Sequence, residues 1–155
     1  MVEIDRRDRQ ILNLLQEDAS LSVAELAEHV GLSQNACWRR ARRLQDDGVI
    51  RRRVALLDQD LLDLSVTVYV SVRTSEHNET WLKRFSKGVD EIPEVVEFYR
   101  MSGDTDYLLK VIVRDIAHYD RVYKKLVTVA PLYDVSSSFA MERIKYTTAL
   151  PLPDR

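Results

Sequence analysis

Residues 22–48 read Ser22-Val-Ala-Glu25-Leu-Ala-Glu-His-Val30-Gly31-Leu-Ser33-Gln-Asn-Ala-Cys37-Trp-Arg-Arg-Ala41-Arg-Arg-Leu44-Gln-Asp-Asp-Gly48. Ser22 and Glu25 form a capping-box pattern, in which the hydroxyl accepts from a backbone N–H three residues on and the carboxylate reaches back. Val23, Leu26, Ala27 and Val30 then recur at i, i+3, i+4 and i+7, which is one apolar stripe of a helix. Gly31 ends that helix, because glycine takes positive φ at little cost. Ser33 caps the next helix, whose inward stripe is Cys37, Ala41 and Leu44 and which Gly48 closes. A short helix, a glycine-containing turn and a second helix make a helix-turn-helix.

Upstream, Ile11, Leu14 and Leu15 mark a further helix, and Asp5 and Asp8 sit where carboxylates favour a helix start. Downstream, Val49 to Leu57 reads as extended chain, either a wing or a dimer-linking strand. The charge is uneven. Residues 33–57 carry seven arginines against Asp46 and Asp47, a net of five positive charges. Residues 1–32 carry three arginines against seven carboxylates, and the chain from Ser65 onward is neutral. The formal net charge of −2 therefore hides one basic segment, and distribution matters more than the sum.

The outward positions of the third helix give that segment its meaning. Gln34 and Asn35, beside the Ser33 cap, suit base edges. Arg39, Arg42 and Arg43 beyond them, and Arg51 after the helix, suit phosphates or guanine. Arg40 lies nearer the edge. A core helix would not carry this face, and a merely solvated one would mix in Glu and Lys. Trp38 has two readings, packing against the first helix or touching the DNA backbone. Cys37, on the inward stripe, reads as a buried structural thiol.

From Ser65 the order is strand, helix, strand, strand, helix, strand. Val66, Val68, Val70 and Val72 share one face of a period-2 segment. Residues 81–89 are helical with Leu82, Phe85 and Val89 inward. Residues 95–101 and 107–114 are strands around the turn-forming Ser102-Gly-Asp-Thr-Asp106. Ile116, Tyr119, Tyr123 and Leu126 mark the second helix, and residues 135–141 the last strand. This is the ferredoxin-like βαββαβ unit. Its uncovered sheet face, expected to carry Tyr69, Tyr99, Met101, Phe139 and Met141, would be buried by pairing with a second copy. The expected division is a DNA-binding head over 1–50, a linker or wing over 51–64 and a second domain over 65–155.

At 155 residues, 45% hydrophobic and 31% charged, the chain suits one ordinary or two small soluble domains. No apolar stretch approaches the ~20 residues of a membrane span, so no membrane partner is expected. The charged N-terminus, without an apolar core, is not expected to act as a signal peptide. The single cysteine fits a reducing cytoplasm. An enzyme reading would pair Asp104 with Asp106 and use Ser137 as nucleophile. Yet His29, His77 and His118 are scattered, with no phosphate loop and no metal-spaced His/Cys cluster beside them.

Over nearly all its length the chain resembles the Lrp/AsnC (feast/famine) transcription regulators. The resemblance is carried by residues 4–11 (IDRRDRQI), 31–37 (GLSQNAC), 42–50 (RRLQDDGVI), 54–57 (VALL), 102–109 (SGDTDYLL) and 136–141 (SSSFAM). It implies an α+β protein with a winged helix-turn-helix and a ligand-binding RAM domain. It also implies double-stranded DNA as partner, a homodimer that assembles to tetramers or octamers, and no metal or prosthetic group. An amino-acid effector would sit between RAM domains near Tyr99, Met101, Gly103, Asp104, Thr105 and Asp106, with Ser136, Ser137 and Ser138 completing the pocket across the interface. Asp104 or Asp106 would accept from its ammonium. The Gly103 turn or the serine hydroxyls would donate to its carboxylate. Residues 99–103 and 137–151 look most like a proteobacterial branch that includes cysteine-responsive regulators, which makes cysteine the lead effector. A DNA-organising protein without effector control needs the same head and oligomer and stays open on the residues alone. Asn35-Ala36 and Ala41 depart from the family's usual residues, leaving the target sequence unread.

Overall fold

The computed structural model describes residues 2–152 and divides into two units. The first contains α1 (Arg6–Glu17), α2 (Val23–Val30) and α3 (Gln34–Asp46). Asp5 caps α1 through a capping box with Asp8, and Ser22 caps α2 through the expected one with Glu25. Gly31 closes α2 in the left-handed region, φ 63°. Ile11, Leu12, Leu26, Ala27, Val30, Cys37, Ala41 and Leu44 form the core of this three-helix unit, with the Cys37 thiol pushed up by burial. Residues 51–57 are exposed and form no strand.

The second unit contains β1 (Val66–Arg73), α4 (Glu79–Asp90), β2 (Val95–Arg100), β3 (Tyr107–Val113), α5 (Ile116–Val129) and β4 (Asp134–Phe139). The strand order β2-β3-β1-β4 is antiparallel throughout, as a βαββαβ unit requires. Val68, Val70 and Val72 are buried beside Leu109, Val111 and Val113. Phe85 of α4 lies 4.8 Å from the Trp81 ring and 5.5 Å from Phe98, and the Trp81 indole donates to the Pro131 carbonyl at 2.9 Å.

Two expectations change. Ile116 is 70% exposed, and Val122 takes the buried place on α5. Phe139 is paired with Val68 and meets Tyr119 edge-on at 5.3 Å, so it belongs to the helix-covered face rather than the open one. The segment beginning at Lys145 groups with the first unit, because Leu152 packs against that unit's core and Leu150 hydrogen-bonds to Gln16.

Candidate nucleic-acid interface and effector turn

Ser33, Gln34, Asn35, Trp38, Arg39, Arg42, Arg43 and Arg51 are all exposed, while Cys37, Ala41 and Leu44 anchor the opposite side of α3. The Ser33 hydroxyl accepts from the Ala36 N–H at 3.2 Å and so is committed to the cap. Trp38 is 54% exposed, which sets aside the packed alternative. The arginines fall into two groups. Arg40 donates to Asp5 at 2.6 Å and to Asp8 at 2.8 Å, and Arg43 donates to the same Asp8. Arg39 and Arg51 make no ion pair among the described residues, and Arg42 makes only an exposed pair with Asp46, 3.1 Å. Exposed pairs of this kind contribute little. Of these arginines, Arg39, Arg42 and Arg51 therefore stand at the surface, whereas Arg40 and Arg43 hold α3 against the start of α1.

Asp8, only 1% exposed, is the residue that sequence reasoning took for a helix-start carboxylate and no more. A signal existed: Asp5/Asp8 and Arg40/Arg43 have the same i, i+3 spacing, so each pair lies on one helix face. Arg7 was likewise unassigned, and its guanidinium donates to the Val30 carbonyl at the end of α2.

In the second unit the turn after β2 is closed by the Met101 N–H donating to the Asp106 carbonyl at 2.8 Å, with Gly103 at φ 105°. Tyr99, Met101, Gly103 and Asp104 are exposed, and Thr105 and Asp106 half-buried. Asp106 is already engaged. Its carboxylate accepts from the Thr74 N–H at 2.8 Å and faces His77 Nδ1 at 4.0 Å, fastening the loop after β1 to this turn. The Asp106→Asn variant keeps the size but weakens that acceptor. It should cost about 1–2 kcal/mol, read as a lowered melting temperature and faster hydrogen exchange at the Thr74 amide.

The three serines do not share a face. Ser136 and Ser138 pair with Ser71 and Tyr69 on the open face, whereas Ser137 pairs with Val70 and shares a 2.5 Å hydrogen bond with Tyr119 beneath α5. Burial pushes that tyrosine's pKa up. Tyr99 and Ser136 occupy one cross-strand row through Leu108 and Ser71. With three strand spacings between them they stand roughly 14 Å apart at ~4.8 Å each. One copy thus does not bring the turn and the serines together. The open face also carries a charged row, where Lys110 donates to Glu97 at 2.8 Å and Tyr99 donates to Glu97 at 2.9 Å. The Lys110 hydrogen bond holds the Glu97 carboxyl below its usual range. Among the described residues no group of His, Cys, Asp or Glu could hold a metal ion, and no helix is long and apolar enough to cross a membrane.

Comparison with known proteins decides the family. Residues 4–51 match the winged helix-turn-helix DNA-binding model, and residues 67–150 match the Lrp/AsnC ligand binding domain. The chain belongs to the Lrp/AsnC family of transcription regulators. It is 54% identical over 152 residues to the glutamate uptake regulatory protein of Zymomonas mobilis, covering 98% of this chain and 93% of that one. The AsnC family transcriptional regulator from Agrobacterium tumefaciens superposes with a TM-score of 0.93 at 61% identity, covering 96% and 97% of the two chains. A Neisseria meningitidis transcriptional regulator solved with L-methionine superposes at 0.91 with 33% identity and the same coverage. This Lrp/AsnC protein thus carries a DNA-binding head, residues 4–51, and a ligand-binding domain whose turn and open sheet face are described above.

Proposed function

We propose that this regulator binds operator DNA as a homodimer that assembles further to tetramers or octamers, with the two α3 helices in successive major grooves. The observation that carries this is the exposed face of α3. Gln34 and Asn35 stand exposed at its capped start and Arg39 and Arg42 beyond. Gln34 and Asn35 read base edges; Arg39, Arg42 and Arg51 contact phosphates. The two copies pair through the open sheet face, where Tyr69 and Tyr99 are exposed.

The effector is a free L-α-amino acid, with cysteine as the first to try and no other cofactor. The Neisseria relative's complex with L-methionine supports that class. Asp104 is the carboxylate left for the ammonium, since Asp106 serves Thr74. The effector's carboxylate takes N–H groups of the Gly103 turn, and Ser136 and Ser138 come from a second copy. The ligand works by preferring one assembly or DNA-bound state, because equal affinity for both shifts nothing. The protein acts in the cytoplasm.

Fluorescence anisotropy with operator and mixed-sequence duplexes at several salt concentrations tests the DNA reading. Arg42→Ala should weaken binding to every sequence and reduce the salt slope by about one. Asn35→Ala should cost about 1–3 kcal/mol of preference for the operator and little on mixed sequence. Wild-type affinity and selectivity in both variants would overturn the assignment. Thermal melts against cysteine and the other nineteen amino acids test the effector, with Asp104→Ala expected to abolish the shift.

A further inference from the structure

The chain leaves the head after Leu56 and returns to it after Ile144. The returning segment contains Thr147-Thr-Ala-Leu-Pro-Leu152. On α1 the Gln16 side chain accepts from the Leu150 N–H at 2.6 Å and donates to the Leu150 carbonyl at 3.2 Å. One amide thereby satisfies both main-chain groups of a single residue, as a neighbouring strand would, and so recognises extended backbone. Pro151 favours that conformation, because the residue before a proline is held in the extended region. Two residues on, Leu152 packs against the head's core.

The tail contributes Thr148, Leu150 and Leu152 to the lining of an open groove of about 540 Å³. One wall is α1, through Leu12, Leu15 and Gln16, and the other is residues 49–54. That second wall includes Arg51, Arg52 and Arg53 and has no regular secondary structure of its own. A segment without a hydrogen-bonded ladder stays in place only through what packs on it. Here Val49 and Ile50 pack on the head's core, and the residues after them share their groove with α1 and the tail. The tail is also covalently continuous with β4, whose Ser136 and Ser138 lie on the open face of the effector domain.

We propose that residues 147–152 are a built-in peptide ligand of the DNA-binding head. Docked, they hold the Arg51–Arg53 segment ready for phosphate; released, they free it, so that the pull of β4 on the tail sets DNA affinity. The functional half rests on the DNA-binding reading above; the docking half stands apart from it. Pre-set extended chain docks at low entropic cost, which suits a contact made and broken reversibly.

The test uses the full-length chain with Gln16→Ala and, separately, Leu152→Asp. Neither residue belongs to α3. Limited trypsin digestion should cut after Arg51–Arg53 about tenfold faster in both, because cleavage follows the open population. Cleavage within residues 66–139 should keep its rate. Affinity for mixed-sequence DNA should fall severalfold in both. A synthetic peptide of residues 147–152, added to Leu152→Asp, should restore both protection and affinity. Unchanged cleavage in both variants would overturn the docking. Faster cleavage with unchanged DNA affinity, while Arg42→Ala still weakens binding, would overturn the control of DNA affinity and leave the DNA reading standing. Wild-type binding by Arg42→Ala would remove that reading, and the functional half of this proposal with it.

Discussion

Replacing Gly88 with alanine is expected to destabilise the effector domain by about 1–3 kcal/mol, although in an open helix the same change stabilises by about 1 kcal/mol. The reason is a close approach. A Cβ built on Gly88 of α4 would stand 2.2 Å from Val129 Cγ1 and 2.9 Å from its Cγ2, at the end of α5. Valine is stiff about χ1, so it cannot swing away as a long unbranched side chain would. The crossing is held from a second side by Arg84, whose guanidinium donates to the Val129 carbonyl at 2.9 Å. Relief must then come from moving α5. Thermal melts with the single and double variants decide the point. Gly88→Ala should lower the transition by several degrees. In a Val129→Ala background the same change should be neutral or stabilising, a non-additivity expected only of side chains that touch. Equal cost in both backgrounds would mean that the glycine serves some end other than this contact.

What the sequence disclosed of this fold followed the reach of the interactions involved. The Ser22–Glu25 box, the Ser33 cap and Gly31 are settled within four residues, so the head's helices were readable with their ends. The alternating valines of β1 were readable for the same reason. Phase was harder. Ser136, Ser137 and Ser138 look alike in sequence, and only the pairing of Val70 with Ser137 says which serine faces the helices. Phe139 follows from that register, since a strand displaced by one residue exchanges its faces. Ile116 fits the i, i+3 spacing of α5 but lies in its first turn, beyond the sheet's cover. Two features had no local signature. Gln16 and Leu150 are 134 residues apart, and nothing periodic announces their contact. At the candidate DNA interface, spacing set Arg40 nearer the edge but grouped Arg43 with Arg39 and Arg42. The division into Arg39 and Arg42 on one side and Arg40 and Arg43 on the other depends on where α1 begins against α3.

That division underlies the second large effect expected, the loss of about 1.5–3 kcal/mol on replacing Asp8 with alanine. Breaking a fully buried ion pair costs more, about 3–5 kcal/mol, because it strands a charge. Here the carboxylate is buried but the Arg40 and Arg43 side chains are 32% and 46% exposed, so water recovers part of their solvation. Asp8 also receives the Asp5 N–H at 3.1 Å, and its removal takes half of the capping box of α1 with it. Arg40 would keep Asp5 at 2.6 Å, while Arg43 would keep nothing among the described residues. The consequence for DNA has a sign that distinguishes it from simple unfolding. A carboxylate is gone and one guanidinium is released toward the surface, so affinity for mixed-sequence duplex should hold or rise and its salt slope should steepen. Preference for the operator should fall, because α3 is no longer fixed against α1 and Gln34 and Asn35 no longer meet base edges at one angle. Melting curves and anisotropy at two salt concentrations, on Asp8→Ala and on Asp8→Asn, separate these outcomes. The asparagine retains an acceptor for the Asp5 N–H and should recover the capping share of the stability but not the selectivity. A variant that lost mixed-sequence and operator binding equally would show that Asp8 maintains the head's fold alone and does not aim the recognition helix.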